Sequence, residues 1–346
     1  RMAHHGTDHR TIARPGSGCA ASTPQDPVIT GPTLHDTSPV LWPWAGAAAV
    51  ILGLTLCAPF EMNVFVMGAV GVLHIACALR YLVGRTAEVI PPGGGAVIVA
   101  WLTVMALIRL ISTQWFTAGH RAEVIASGVV MCLVAHLVCR GTLRWTLTGV
   151  MVVVTVLGVI HLGWWMFAAA HIHNLVPVVL VWDWARRSAS ATRRMVHGFL
   201  AVWALVIPAL LIGRLITTWP IPRLLPEEIH TNALISAVAP PGADPVTAMG
   251  WYAAFCFMQG MHYLFWIGFT HVEGRNTVSV ATTLSPLLGG PVMWTGVAVL
   301  TVIVAGLQIW DYPVGRMAYS ALGAYNVHYE MAALVVVLSQ LVSRHR

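Results

Sequence analysis

The class of fold is decided by the stretch WTLTGVMVVVTVLGVIHLGWWMFAAAHIHNLVPVVLVWDWA, which covers residues 145–185. Apart from three histidines and Asp183 near its end, the stretch contains no ionisable side chain. A helix needs about 20 apolar residues to cross the hydrocarbon core of a bilayer. The stretch is long enough for two such helices, which we place at residues 145–166 and 168–185. It therefore predicts a helical hairpin within a membrane.

The composition of the whole chain agrees with this interpretation. The protein has 346 residues, of which 57% are hydrophobic and only 9% charged, and its mean hydropathy is +0.74. About a quarter of the residues of a soluble domain are charged. The sequence therefore predicts a polytopic membrane protein, most of whose surface faces lipid.

A hydropathy scan extends the prediction to an all-α transmembrane bundle. We expect residues 1–38, which are rich in Pro, Gly, Ser, Thr and His, to form a disordered tail, and residues 39–346 to form the membrane domain. Each predicted span is near the length that a membrane-crossing helix needs. The ten predicted spans are 40–60, 62–84, 95–115, 121–140, 145–166, 168–185, 195–216, 248–270, 291–310 and 315–342.

The positions of the arginines predict the orientation of the bundle. If both chain ends are cytoplasmic, 14 of the 19 basic residues fall on the inner side, as the positive-inside rule requires. We therefore expect a multi-pass protein of the inner (cytoplasmic) membrane. The net charge of +6 arises from arginines between apolar segments. It indicates topology and contact with membrane lipids, and no nucleic-acid partner is expected.

Histidines are the most informative polar residues of the chain. There are 16, and half lie inside the predicted spans, where ionisable residues usually face the bundle interior and indicate a functional site. At about 1.5 Å of rise per residue, His74, His262 and His328 lie near the middle of the bilayer. His171 and His173 lie close to the outer end of the sixth span. The sequence thus predicts a layer of histidines at similar depth.

A metal centre is the first interpretation of this layer. Neutral imidazole is the commonest protein ligand for metals, and imidazoles without thiolates suit iron, copper or zinc. We therefore predict a non-haem iron or copper oxidoreductase that acts on a lipidic substrate from the bilayer. Three tyrosines near the histidines are candidates for orienting ligands or intermediates: Tyr81, Tyr263 and Tyr329. The candidate ligands are His74, His161, His171, His173, His262 and His328.

The helical period limits which of these side chains can meet. On a regular helix His171 and His173 diverge by about 200°, and so do His328 and Glu330. Only one histidine of the HIHN sequence at residues 171–174 is then expected to face a shared centre, unless the helix is unwound there.

Three other interpretations remain open. Each histidine can be a buried residue that forms a hydrogen bond between helices. A pair of them can ligate haem, as in membrane b-type cytochromes. A proton or metal-ion pathway is the third, with Asp183 and Arg109 as further members, although Asp183 beside Arg186 and Arg187 is better explained as a surface ion pair.

The segments VLHIACALRYLVG (72–84), HIHN (171–174), MHY (261–263) and VHY (327–329) place single histidines on separate helices. In a bundle rich in Met and Trp, this arrangement resembles the Brp/Blh family. Its members are bacterial membrane dioxygenases that cleave carotene and hold non-haem iron through histidines. The resemblance implies an all-α membrane fold, an iron cofactor and a hydrophobic substrate.

Overall fold

The computed structural model describes residues 38–87, 89–111, 116–186, 190–219, 231–272, 279, 281–282 and 288–343. These residues form helices and contain no strand, which confirms the predicted all-α class. The predicted N-terminal tail, except Ser38, lies outside the described residues. The helices are α1 (Ser38–Cys57), α2 (Pro59–Ala69), α3 (Gly71–Ala87), α4 (Pro92–Ile111), α5 (Phe116–Val138), α6 (Gly141–Ile160), α7 (Leu162–Ile172), α8 (Val176–Arg186), α9 (Ser190–Ala201), α10 (Ile207–Ile212), α11 (Thr231–Ser236), α12 (Pro245–Val272), α13 (Gly290–Trp310) and α14 (Tyr312–Ser343).

The lengths and hydropathies of these helices identify a multi-pass membrane protein. Seven helical segments among the described residues are long and apolar enough to cross a bilayer, and Pro43–Cys57 is a shorter apolar helix. The seven segments are Gly93–Ile111, Ala118–Val138, Gly141–Ile160, Leu162–Arg186, Ser190–Ile212, Gly290–Trp310 and Tyr312–Gln340.

The bundle has central and peripheral helices. In the most apolar 18-residue stretch of α14 and of α5, 61% and 50% of the residues are buried. In α6 and α13 the corresponding value is 6%. The central helix α14 packs against α3, α4, α5 and α13, and α12 packs against α3. Polar side chains that must avoid lipid are therefore expected on α3, α5, α12 and α14.

Prolines determine where several helices begin and where one is interrupted. Pro59, Pro92 and Pro245 occupy the first positions of α2, α4 and α12, where a missing backbone N–H costs nothing. Pro177 has no N–H to bond the carbonyl of His173, and that carbonyl accepts the N–H of Val176 instead. The result is a short 3-10 turn, His173–Leu175, between α7 and α8.

The turn of the hairpin formed by α6 and α7 differs from its predicted position. The sequence places it between residues 166 and 168, but α6 ends at Ile160 and α7 begins at Leu162. His161 occupies the turn, with φ −110° and ψ 58°, and it is exposed. Hydropathy does not mark this break, because the residues on both sides of it are apolar.

Candidate metal centre and its cavity

Three helices bring His74, His262 and Glu330 together in the core of the bundle. They lie on α3, α12 and α14, and each side chain is at most 3% exposed. One ligand atom from each residue lies within 4.8 Å of the others. Ligand atoms about 2.1 Å from one metal ion lie about 3 to 4 Å apart, so small side-chain movements are sufficient to bind one.

Asn326 links two members of this cluster. It lies one helical turn before Glu330 and donates a hydrogen bond from Nδ2 to Glu330 Oε1 at 2.6 Å. The same Nδ2 lies 3.4 Å from His74 Nε2. Asn326 therefore orients the carboxylate and one imidazole towards each other.

Several polar atoms of the cluster lack a hydrogen-bond partner although they are buried. They are His74 Nδ1, both ring nitrogens of His262, Asn326 Oδ1 and Glu330 Oε2. His262 Nε2 lies 3.3 Å from Glu330 Oε1, within ion-pair distance, but the alignment is not that of a hydrogen bond. Each unsatisfied buried polar group costs about 1–3 kcal/mol. This concentration within four neighbouring residues indicates a site for a polar or cationic ligand.

The 3-10 turn directs His173 towards this cluster. Its ring centroid lies 5.2 Å from that of His262, and its Nδ1 lies 2.9 Å from the carbonyl oxygen of Ala169. The carbonyl can only accept, so Nδ1 carries the proton and Nε2 keeps its lone pair. Metal-ligating histidines usually have this kind of orienting contact.

His171 faces a different part of the structure. Its Nε2 donates to the carbonyl oxygen of Val238 at 2.9 Å, and its ring packs against Phe167, Trp251 and Phe255. The two histidines of HIHN thus point to different surroundings. The exposed His161 is not brought to the buried cluster either.

A second buried cluster surrounds Glu123 on α5. Arg109 donates to Glu123 Oε1 at 2.9 Å, His120 Nδ1 lies 3.2 Å from Oε2, and His328 Nε2 lies 3.1 Å from Oε1. On the other side of its ring, His328 Nδ1 lies 3.1 Å from Ser127 Oγ. The structure therefore places the predicted ligand His328 beside Glu123. Glu123 in turn forms an ion pair with Arg109.

One cavity connects the two clusters. It has a volume of about 220 Å³, and His74, His173, Glu123 and His328 all contribute to its wall. Ser127 is not part of the wall, so the series Ser127–His328–Glu123 does not present its hydroxyl to a bound molecule. The arrangement is thus suited to positioning His328 rather than to nucleophilic catalysis.

Only one of the three predicted tyrosines lies at the centre. Tyr263 stacks on His74 with ring centroids 3.8 Å apart, and its hydroxyl is hydrogen-bonded to that of Tyr319. Tyr81 packs against Trp266 in the core. The hydroxyl of Tyr329 lies 2.9 Å from Thr86 Oγ1, a contact between α14 and α3.

Glu330, Asn326, Glu123 and His120 were not among the residues that the sequence analysis selected. A signal for them exists, because a carboxylate inside an apolar span is itself an indication of a site. Asn326 and Glu330 are also spaced four residues apart, on one helix face. By contrast, Asp183 forms the expected ion pair with Arg186, at 3.2 Å, but its side chain is buried and does not lie at the surface.

Comparisons with known proteins return no relative for this chain. No family model matches the sequence, and neither a curated protein nor a solved structure matches it. The resemblance to the Brp/Blh family therefore stays a prediction. Function must be argued from the site itself.

Proposed function

We propose that the protein is an integral membrane metalloenzyme whose metal ion is held by His74, His262 and Glu330. The observation that carries this proposal is a buried group of three ligand atoms, one from each residue, within 4.8 Å of one another. The same three residues also have buried nitrogen or oxygen atoms without a hydrogen-bond partner. A cation there satisfies the carboxylate and the imidazoles at once. It also compensates the charge of Glu330, which is 0% exposed.

The donor set favours iron over copper. Two histidines and one carboxylate with open positions are the ligands of non-haem Fe(II) oxygenases, and catalytic zinc uses the same set. Copper is less favoured, because a carboxylate is a hard ligand. Bound iron supplies one-electron and dioxygen chemistry. We therefore propose a non-haem iron oxidoreductase.

The surrounding residues have separate roles in this proposal. Asn326 holds the Glu330 carboxylate and the His74 ring in orientation. His173, with Nε2 available and its ring beside His262, is the candidate fourth ligand. Tyr263 covers one face of the His74 ring, which excludes water from that side of the centre.

The membrane setting defines the rest of the proposal. We infer ten spans, both chain ends in the cytoplasm and location in the inner membrane, on the basis of hydropathy and arginine placement. The substrate is hydrophobic. It reaches the proposed metal centre through the cavity, since His74 and His173 belong both to that centre and to the cavity wall.

Metal analysis of the detergent-purified protein tests the assignment. We expect stoichiometric iron without a Soret band, and loss of the metal in the His262→Ala variant. His136→Ala is the matched control, because His136 is exposed and contacts only Trp145 among the ring contacts described. Equal metal content in wild type and His262→Ala contradicts the proposal.

The haem alternative is separated by the same spectrum. The ring centroids of His74 and His262 lie 5.3 Å apart, and the carboxylate of Glu330 offers a third ligand atom within 4.8 Å. The geometry therefore supports a single ion between these rings. A Soret band in the purified protein would point to haem instead.

A further inference from the structure

The cavity extends along one face of α14. Arg316, Ser320, Gly323 and Val327 contribute to its wall at intervals of three or four residues, which is the repeat of one helix face. Arg316 and Asn326 both belong to the wall and are ten residues apart, or about 15 Å along the helix axis. The cavity is therefore elongated, with Arg316 towards one end and the candidate metal centre towards the other.

The charges of the wall do not cancel. Arg109 and Glu123 neutralise each other at 2.9 Å. Arg316 has a hydrogen bond with Tyr312, but no carboxylate among the described residues lies within ion-pair distance of it. Histidines aside, the wall thus has an excess of one positive charge. In a membrane bundle a guanidinium of this kind favours an anionic partner.

The remaining wall is mixed in character. Trp165, Met166 and Phe255 provide apolar surface, while Asn63 and Gln259 provide amide groups. Asn63 Oδ1 is buried and has no hydrogen-bond partner. A volume of about 220 Å³ equals that of about seven waters at about 30 Å³ each. The cavity therefore suits a short molecule with a polar end and an apolar chain.

We propose that this cavity binds an amphiphilic organic anion, with its acidic group at Arg316 and its apolar chain directed towards His74. This anion is the proposed substrate class of the oxidoreductase. Only the oxidation of its apolar chain rests on the proposed function. Binding at Arg316 needs no metal, so the two proposals can fail separately.

The test measures the binding of octanoate and of uncharged 1-octanol to the full-length protein in phosphatidylcholine nanodiscs. It is done before and after treatment with a chelator. We expect octanoate to bind at least tenfold more tightly than octanol, with or without metal. In Arg316→Gln the affinity for octanoate falls about 10- to 100-fold, because a charge-assisted hydrogen bond is lost. Arg316→Lys, which keeps the charge, retains part of the affinity.

Arg121→Gln is the matched control, because it removes the same charge from an exposed position outside the cavity wall. Its affinity for octanoate is expected to equal that of wild type. Equal binding of octanoate and octanol, or an equal loss in Arg121→Gln and Arg316→Gln, overturns the anion site. Wild-type protein that contains no metal as purified but still binds octanoate overturns only the metal assignment.

An acidic lipid offers the same chemistry as a free acid. Native mass spectrometry of protein taken from nanodiscs that contain phosphatidylglycerol separates the two sources. A bound phosphatidylglycerol that is lost in Arg316→Gln and is not displaced by octanoate supports the anion site and assigns it to lipid. Displacement by octanoate assigns the site to the free acid.

Discussion

Glu123 and Glu330 are two glutamates buried in the same bundle, and each contacts histidine, yet their charges are compensated in different ways. Glu123 is bonded to Arg109 as well as to His120 and His328. Glu330 contacts His262 and Asn326, and no arginine contacts it among the residues that the structure describes. The first cluster is complete with protein groups alone, whereas the second lacks a cation.

The difference has an energetic basis. Removing an ionised carboxylate from water costs several kcal/mol, which only a close and well-oriented partner offsets. Arg109 is such a partner for Glu123 because a guanidinium is always protonated. An ionised carboxylate at Glu330 needs a protonated histidine or a bound metal ion as its positive partner. The unpaired nitrogens of His262 favour the metal ion.

The largest expected effect comes from removing each carboxylate in turn. Glu330→Gln takes away a proposed metal ligand while keeping the side-chain volume, so we expect more than a hundredfold weaker metal binding. Glu123→Gln leaves the ligand set intact and is expected to keep the metal content of wild type. Iron titration of both purified variants measures the difference. If the two lose metal equally, the contrast between the clusters is wrong.

The second effect tests the role of Arg109. Arg109→Leu leaves the charge of Glu123 buried without its partner, and we expect a loss of about 3 kcal/mol in the free energy of unfolding. Arg121→Leu, at an exposed position, is the matched control and should change it by less than about 0.5 kcal/mol. Denaturant titration in detergent provides the measurement.

The double variant Arg109→Leu/Glu123→Leu sharpens this test. Removing both charges avoids the unpaired carboxylate, so the double variant is expected to be more stable than Arg109→Leu alone. A double variant that is the less stable of the two would show that Arg109 acts through packing rather than through its charge.

The smallest effect compares the residues that orient each cluster. Asn326→Ala removes the hydrogen bond to Glu330, and loss of such an orienting contact typically weakens metal binding 10- to 100-fold. Ser127→Ala removes the contact to His328 and costs about 1 kcal/mol of stability with unchanged metal affinity. A metal affinity that is insensitive to Asn326→Ala would remove Asn326 from the site.

Part of the candidate site follows from the sequence, and part depends on contacts between helices. The depth of His74 and His262 in their spans follows from counting residues, and the structure brings these two side chains together. The angle of about 200° between His328 and Glu330 also follows from the helical period. The helical period does not tell which of these two side chains is directed towards His262, because that depends on the rotation of α14 relative to α12 and α5.

The same limit explains the other differences. His171 lies in the last turn of α7, whereas His173 begins the 3-10 turn that precedes Pro177. HIHN thus supplies one histidine to the centre and one to a contact with Val238. His120 and Glu123 lie near the start of α5, a position typical of interfacial residues. Only the approach of α4 and α14 shows that they are buried around one charge.

By itself the sequence determined the all-α class, the membrane setting and the presence of buried histidines, since hydropathy and the helical period are local properties of the chain. The tertiary structure alone decided that Glu330, rather than His328, joins His74 and His262. It also decided that Glu123 is neutralised by Arg109. Contacts between helices depend on how their faces are rotated against one another, and residues far apart in the chain specify that rotation through packing.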